Sequence, residues 1–234
     1  MTQEKPFIIA EIGNNHEGNL KIAKKMIIIA RNCGADAVKL QAGNAQGFAR
    51  TKRDIKKYEK FILSMKEHKE LFYFGEQIEI PVFFSIWSRE YEDLLGLEKY
   101  HKIPARHCTK KFIEQSGLDS DHTFISVPYM MGFKEIEMLG IKKSTMLHCV
   151  NEYPAQLPMF NKMMQMKRLY KKIGFSDHFI GVSKSIEAMI IGATVIEKHF
   201  TLDHNYSKFR DHELSADPKE LEEMCKFSLQ WTKL

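Results

Sequence analysis

The feature that most constrains the fold is the regular alternation along the chain of short apolar runs with longer amphipathic stretches. Short apolar runs predict buried strands, and amphipathic stretches predict helices that cover a sheet. Their repetition in this order indicates βα units around a parallel sheet. Eight such units favour a closed (β/α)8 barrel, also called a TIM barrel, over an open sheet. The predicted strands cover residues 7–12, 36–41, 81–86, 100–104, 122–127, 145–150, 174–178 and 195–200.

Helices are predicted between these strands. The segment after the second strand reads as one long charged helical region, whereas REYEDLLGLE and FKEIEMLG leave room for barely two turns each. An Asp-Pro start signal opens the last helix. The longer predicted helices cover residues 20–33, 53–79, 158–172, 183–192 and 218–233.

Composition narrows the class of protein. The 234 residues suit a single domain, 1–234, with one sizeable core. The formal charge of +5 is spread along the chain, without the basic stripe that nucleic-acid binding needs, so no nucleic-acid partner is expected. Four cysteines stand far apart without a CxxC pair, which indicates reduced thiols. The N-terminus carries no long apolar run, so no membrane partner is expected and the predicted location is cytoplasmic.

Polar residues end nearly every predicted strand. The active site of a (β/α)8 barrel lies at the carboxyl ends of its strands, so these side chains are expected to share one mouth. Because a buried lysine or glutamate is costly unless it is paired or used, their convergence predicts a functional site. The residues concerned are Glu11, Lys39, Gln41, Ser85, Lys102, Ser126, Asn151, Tyr153, Ser176, His178, Glu197 and His199.

Two histidines are the candidate metal ligands. His178 and His199 end adjacent predicted strands, beside Asp177 and Glu197, and their imidazoles could share one cation. Imidazole with oxygen partners suits Mn²⁺, Co²⁺ or Zn²⁺. The alternative is that each histidine only hydrogen-bonds backbone at the end of its strand.

The remaining mouth residues suggest an anionic substrate. Lys39 and Lys102, together with the hydroxyl and amide groups at the strand ends, match a phosphorylated and carboxylated molecule. The alternative, lysines that extend to water, fits Lys39 poorly because it lies inside an apolar strand. Glu11 is a candidate general acid or base, or else the partner of Lys39 in a structural ion pair.

Six segments, FIIAEIGNNHEG, GADAVKLQ, LHCVNEYPA, GFSDH, GATVIEKHFTLD and RDHELSADPKEL, closely resemble the N-acetylneuraminate (sialic acid) synthase family. The resemblance runs from about residue 6 to residue 221. It implies a barrel enzyme that joins carbon 3 of phosphoenolpyruvate to the aldehyde of an open-chain amino sugar. It also implies a divalent metal, Mn²⁺ first and Co²⁺, Mg²⁺ or Zn²⁺ otherwise, on His178 and His199.

The resemblance assigns further contacts. Those to phosphoenolpyruvate correspond to Lys39, Gln41, Lys102, Ser126, Asn151 and Ser176. Those to the sugar correspond to Glu11, Tyr153 and Asp211.

The chain departs from the family pattern in the acceptor region. The usual Ser-Thr-Pro after the third strand is Ser-Ile-Trp, at residues 85–87. In the next motif a phosphate-binding serine is replaced by Ala105 and an acceptor-binding glutamate by His107, and Arg106 is expected to restore the phosphate contact. The family's C-terminal antifreeze-like domain, which crosses a dimer to the sugar, has no counterpart in this sequence. We therefore expect an acceptor other than N-acetylmannosamine. A homodimer is possible, and the sequence does not decide the oligomeric state.

Three functions are weighed on this basis. The first is a phosphoenolpyruvate-dependent, metal-assisted synthase of a 3-deoxy-2-ketoacid, acting on an aldose or amino sugar. The second is a non-catalytic relative that binds a phosphorylated or acidic metabolite as a sensor or partner subunit, which the changes at Ile86, Ala105 and His107 favour. The third is a metal-dependent hydrolase or isomerase, which would leave the phosphate-binding hydroxyls without a role.

Overall fold

The computed structural model describes residues 4–49, 51–208 and 210–231. Eight parallel strands close a barrel in chain order, so the predicted (β/α)8 architecture is confirmed. Each strand overlaps its predicted segment, with ends that differ by at most one residue. The strands are β1 Phe7–Gly13, β2 Ala37–Ala42, β3 Val82–Ile86, β4 His101–Ile103, β5 Thr123–Pro128, β6 Thr145–Cys149, β7 Ile173–Asp177 and β8 Val195–His199.

Helices surround the barrel. Two segments are 3-10 helices, Arg89–Gly96 and Ala105–His107, and the first of them replaces the helix predicted in REYEDLLGLE. None of the helices in the described ranges combines the length and apolar composition needed to cross a bilayer. The α-helices are α1 Leu20–Asn32, α2 Ala45–Phe48, α3 Lys52–Tyr58, α4 Met65–Gln77, α5 Lys110–Ser116, α6 Phe133–Met138, α7 Phe160–Met166, α8 Ser183–Ile190, α9 Arg210–Leu214 and α10 Pro218–Trp231.

The prediction of a single helical region over residues 53–79 is wrong, because the helix is interrupted between α3 and α4. Ser64 begins a new helix with a capping box, in which its hydroxyl accepts from the Glu67 amide at 3.3 Å and the Glu67 carboxylate accepts from the Ser64 amide at 2.7 Å. Leu63, just before this cap, is buried and anchors the turn. The break allows α2 and α3 to form a separate helical pair after β2.

The interior of the barrel changes from apolar to polar along the strands. The amino-terminal part of the barrel interior holds a separate hydrophobic cluster. Because side chains alternate between the two faces of a strand, the residue two positions further along faces the interior again. On β1, β2, β3 and β8 that step leads from an apolar residue to a polar one, so the barrel is filled at its base and polar at its mouth. The apolar cluster is Ile9, Ala37, Phe83, Phe124, Leu147 and Val195.

Gly174 on β7 is required by close packing. A β-carbon at this position would meet the carbonyl oxygen of Val195 and lie 2.6 Å from Leu147 Cδ2. Gly96 offers a matched comparison, because a β-carbon there would meet no atom within 4 Å.

We predict that Gly174→Ala lowers the free energy of unfolding by about 1–3 kcal/mol or more, because the added methyl overpacks the strand pair. Gly96→Ala should change it by no more than about 0.5 kcal/mol. Urea unfolding of both variants measures the difference. Equal stability of the two variants would contradict this packing.

Candidate active site

One cavity at the carboxyl ends of the strands gathers the predicted site residues. It encloses about 120 Å³. Every residue assigned from the sequence except His107 lines it. These residues are Glu11, Lys39, Gln41, Lys102, Arg106, Ser126, Asn151, Tyr153, Ser176, His178, His199 and Asp211.

A charged cluster of Glu11, Lys39, Lys102 and Glu197 forms the floor of the cavity. The Lys39 ammonium forms an ion pair with Glu11 and lies 3.8 Å from Glu197 Oε2. The Lys102 ammonium lies 3.2 Å from Glu197 Oε1. All four side chains are at most 7% exposed, so each charge depends on its neighbours rather than on water.

Two serine hydroxyls complete the hydrogen bonding of this charged cluster. Lys102 Nζ donates to Ser126 Oγ at 2.7 Å, and Ser176 Oγ donates to Glu197 Oε1 at 2.8 Å. The strand register explains the arrangement, because Ser176 is opposite Glu197 on β8, and Ser126 lies two residues after Phe124, the partner of Lys102 on β5.

The two glutamates differ in their protonation. Burial raises the pKa of Glu11 to about 7, although Lys39 acts in the opposite direction. Burial also acts to raise the pKa of Glu197, but Lys102 and Lys39 outweigh it and hold that pKa at about 2. Near neutral pH, Glu11 can therefore take up or release a proton while Glu197 stays ionised.

The two histidines lie side by side at the mouth, as the sequence predicted. The ring centroids of His178 and His199 are 5.6 Å apart. Nδ1 of His178 donates to the carbonyl of Val150 at 2.7 Å, so Nε2 presents its lone pair and accepts from the Tyr153 hydroxyl at 3.1 Å. Burial lowers the pKa of His178 to about 4, which keeps the ring neutral. A neutral imidazole whose second nitrogen is held by a carbonyl fits a metal ligand.

Asp177, which the sequence placed near these histidines, is turned away from the cavity. Its carboxylate accepts from the Phe179 amide at 2.8 Å and from the Ser185 hydroxyl at 2.5 Å, and it lies 3.4 Å from the Lys198 ammonium. Since successive side chains of a strand face opposite sides, Ser176 points inward and Asp177 points to the helices.

Arg106 and His107 follow β4 but point to different places. Arg106 is exposed at the rim of the cavity, with its guanidinium 5.0 Å from the centre of the Trp87 ring, and it donates to the Gly47 carbonyl at 3.2 Å. Its contact with a substrate phosphate stays a prediction. His107 stacks on Phe112 with ring centroids 4.9 Å apart and lines a neighbouring cavity instead.

The cavity also contains residues to which the sequence assigned no role. Glu197 was named from the sequence among the polar strand ends, but without a specific role; it lies on the same face of β8 as His199. Asn14 donates to Gln41 Oε1 at 3.0 Å and follows β1 in the polar run that the sequence shows. The aromatic lining residues carried no strand-end signal: Phe48, Tyr58 and Trp87.

Comparisons with known proteins show which family the chain resembles. The sequence model of the NeuB family matches residues 26–233. The N,N'-diacetyllegionaminic acid synthase of Campylobacter jejuni is 36% identical over 252 residues, covering 95% of this chain and 75% of that protein. The N-acetylneuraminate-9-phosphate synthase of Homo sapiens is 28% identical, over 96% of this chain and 69% of that protein.

A solved structure shares the fold over nearly the whole chain. It is described as the N-acetylneuraminic acid (sialic acid) synthetase from Leptospira borgpetersenii serovar Hardjo-bovis in complex with citrate. The TM-score is 0.89 at 28% sequence identity, and the match covers 98% of this chain and 85% of that one.

Proposed function

The chain belongs to the NeuB family, and from this premise we propose that it joins phosphoenolpyruvate to a sugar-like aldehyde and forms a 3-deoxy-2-ketoacid. The observation that carries the proposal is the charged cluster beside the two histidines. The relatives above are named as synthases, which favours an enzyme over a non-catalytic binding protein.

The charged cluster supplies the groups that a small phosphorylated carboxylate needs. Lys39 and Lys102 offer two ammonium groups, and Ser126 and Ser176 offer hydroxyls beside them. Asn151 adds an amide at the same mouth. When Glu11 holds a proton, the ammonium groups of Lys39 and Lys102 face only the Glu197 carboxylate. The cluster then carries a net positive charge and attracts an anion. We assign these five residues to the binding of phosphoenolpyruvate.

The reaction forms one carbon–carbon bond. Carbon 3 of phosphoenolpyruvate adds to the aldehyde carbon, whose oxygen takes up a proton and becomes a hydroxyl. Water then adds at carbon 2 and phosphate leaves, so a 2-keto acid remains. The water gives up its two protons, one replacing that taken by the aldehyde oxygen and one leaving with phosphate.

Glu11 is the residue suited to moving these protons. Its carboxyl lies in the cavity beside Lys39, with a pKa of about 7 because of burial. In the proposed reaction it gives a proton to the aldehyde oxygen and regains one from water. Glu197 remains the permanent anion that orients the Lys102 ammonium and the Ser176 hydroxyl.

We further propose that His178 and His199 hold a divalent cation, with Mn²⁺ first and Co²⁺, Mg²⁺ or Zn²⁺ as alternatives. When bound, such an ion supplies Lewis-acid polarisation of the aldehyde oxygen. The neutral His178 ring, oriented by the Val150 carbonyl, supports this assignment. Tyr153 and Asp211 line the same cavity, where they can orient the hydroxyls of the acceptor.

Glu11→Gln tests the proton transfer. We predict that protein with Mn²⁺, phosphoenolpyruvate and a panel of aldoses and amino sugars releases phosphate, and that Glu11→Gln slows this release about 10²- to 10⁴-fold. Glu223→Gln, an exposed change on α10, is the matched control and should leave the rate unchanged. No phosphate release from the unmodified protein with any acceptor would contradict the synthase. A fully active Glu11→Gln would remove Glu11 from its role.

His178→Ala tests the metal assignment by calorimetric titration of Mn²⁺. We predict that this variant binds Mn²⁺ about 10- to 100-fold more weakly. The control is His204→Ala, because His204, Asp217 and Glu220 form another group in the described ranges whose ligand atoms lie within 4.8 Å of one another. If His204→Ala weakens Mn²⁺ binding and His178→Ala does not, the metal belongs to that second group.

A further inference from the structure

An ion pair outside the cavity lies directly behind the two histidines. Asp177 precedes His178 at the end of β7, and Lys198 precedes His199 on β8. Asp177 and Lys198 are opposite each other in the strand register, and the Lys198 ammonium lies 3.4 Å from Asp177 Oδ1. Both side chains are fully buried and point from the barrel towards the helices. We call Asp177 and Lys198 the outer ion pair.

The outer ion pair binds the backbone groups of Phe179, the residue that follows His178. Asp177 Oδ1 accepts from the Phe179 amide at 2.8 Å. The Lys198 ammonium donates to the Phe179 carbonyl. The main chain is therefore held on both sides of His178, by Asp177 before it and by Phe179 after it.

Helix α8 is joined to the same carboxylate. The Ser185 hydroxyl donates to Asp177 Oδ2 at 2.5 Å, and Ser185 is fully buried. Each oxygen of Asp177 therefore accepts a hydrogen bond, and the first turn of α8 is bound to the end of β7. Three elements, β7, β8 and α8, together determine where this carboxylate lies.

Stability alone does not account for the outer ion pair. The attraction within a fully buried pair does little more than offset the loss of hydration, and packed apolar residues of similar size are often as stable. Asp177 and Lys198 add no net charge, and neither lines the cavity. The effect of the pair is on geometry, because it fixes how β7 and β8 present the two histidines.

The positions of both histidine rings depend on this main chain. Nδ1 of His178 donates to the Val150 carbonyl at 2.7 Å, and the His178 carbonyl accepts from the Ala155 amide at 2.9 Å. On β8, the His199 carbonyl accepts from the Ala216 amide at 2.7 Å. The two rings, with centroids 5.6 Å apart, are therefore carried by backbone segments that the outer ion pair connects.

Resting on the proposed function, we infer that Asp177 and Lys198 are the positioning residues of the metal site. Through the Phe179 peptide they hold the His178 imidazole where it and His199 can share one divalent cation. Neither lies in the cavity, so neither is itself a ligand. The sign of the effect distinguishes positioning from electrostatics. By charge alone, removal of the Lys198 ammonium favours a nearby cation, whereas loss of positioning disfavours it.

Calorimetric titration of Mn²⁺ into the metal-free protein tests the inference. Lys198→Met should bind Mn²⁺ about 10- to 100-fold more weakly than the unmodified protein. In the double variant Asp177→Asn, Lys198→Met no buried charge is left unpaired, so urea unfolding should show stability recovered towards that of the unmodified protein. The double variant should still bind Mn²⁺ weakly, because the Phe179 carbonyl has lost its donor.

Two controls separate positioning from general effects. Gly174→Ala is expected to destabilise β7 without touching the outer ion pair, and Lys184→Met removes the lysine that pairs with Glu187 at the surface of α8. Both variants should retain the affinity for Mn²⁺. With saturating Co²⁺ in place of Mn²⁺, the visible absorption bands should shift in Lys198→Met and in neither control, because these bands report the ligand geometry.

Each outcome decides one of the two proposals. Unchanged or tighter Mn²⁺ binding in Lys198→Met, or affinity restored in the double variant, would overturn the inference and leave the proposed function standing. Weakening of the same size in Gly174→Ala would reduce the effect to lost stability and would also overturn the inference. Absence of Mn²⁺ binding by the unmodified protein would overturn the proposed metal site and the inference with it.

Discussion

The charged cluster of Glu11, Lys39, Lys102 and Glu197 is the constraint on which the rest of the site depends. These groups lie inside a closed barrel, where at most 7% of each side chain is exposed, and removing one partner of such a buried pair leaves an uncompensated charge. Their mutual contacts also separate the pKa values of the two glutamates, so that one stays ionised and the other can carry a proton. The electrostatics that stabilise the mouth of the barrel therefore also prepare it for an anion and for proton transfer.

The mouth offers three kinds of surface, each supplied by a different group of strands. The centre is cationic and rich in hydroxyl groups, the ends of β7 and β8 present two imidazoles, and the side after β2 and β3 is aromatic. In the proposed reaction the cationic centre receives the anionic donor, and the two imidazoles lie beside the aldehyde. The barrel brings them together because the inner faces of strands such as β1, β2, β3 and β8 become polar at their carboxyl ends, above the apolar cluster that fills the base.

The parts of this structure that follow a strict period could be predicted from the sequence. The alternation of short apolar runs with amphipathic stretches along the chain predicted the barrel, and polar strand ends such as Lys39 and His199 predicted the cavity. The break before Ser64 was missed because the whole segment was read as one charged helical region, whereas the capping box of Ser64 and Glu67 marks where a second helix begins. His107 was misplaced since a residue after a strand can point to either side of its loop. The cluster of Phe48, Tyr58 and Trp87 beside the cavity could not be predicted, because it depends on how α2 and α3 pack against the segment after β3.

Binding of phosphoenolpyruvate to the metal-free protein tests the central claim most directly. Isothermal titration calorimetry should show one site, with an affinity that falls as salt is added and falls at least about tenfold in Lys102→Met, because a charge-assisted contact to the anion is lost. Double replacement by Lys102→Met and Glu197→Gln, which removes both members of the ion pair, should also bind weakly, showing that the lysine and not the unpaired glutamate is responsible. Unaltered affinity in Lys102→Met, or no binding to the unmodified protein, would contradict the account.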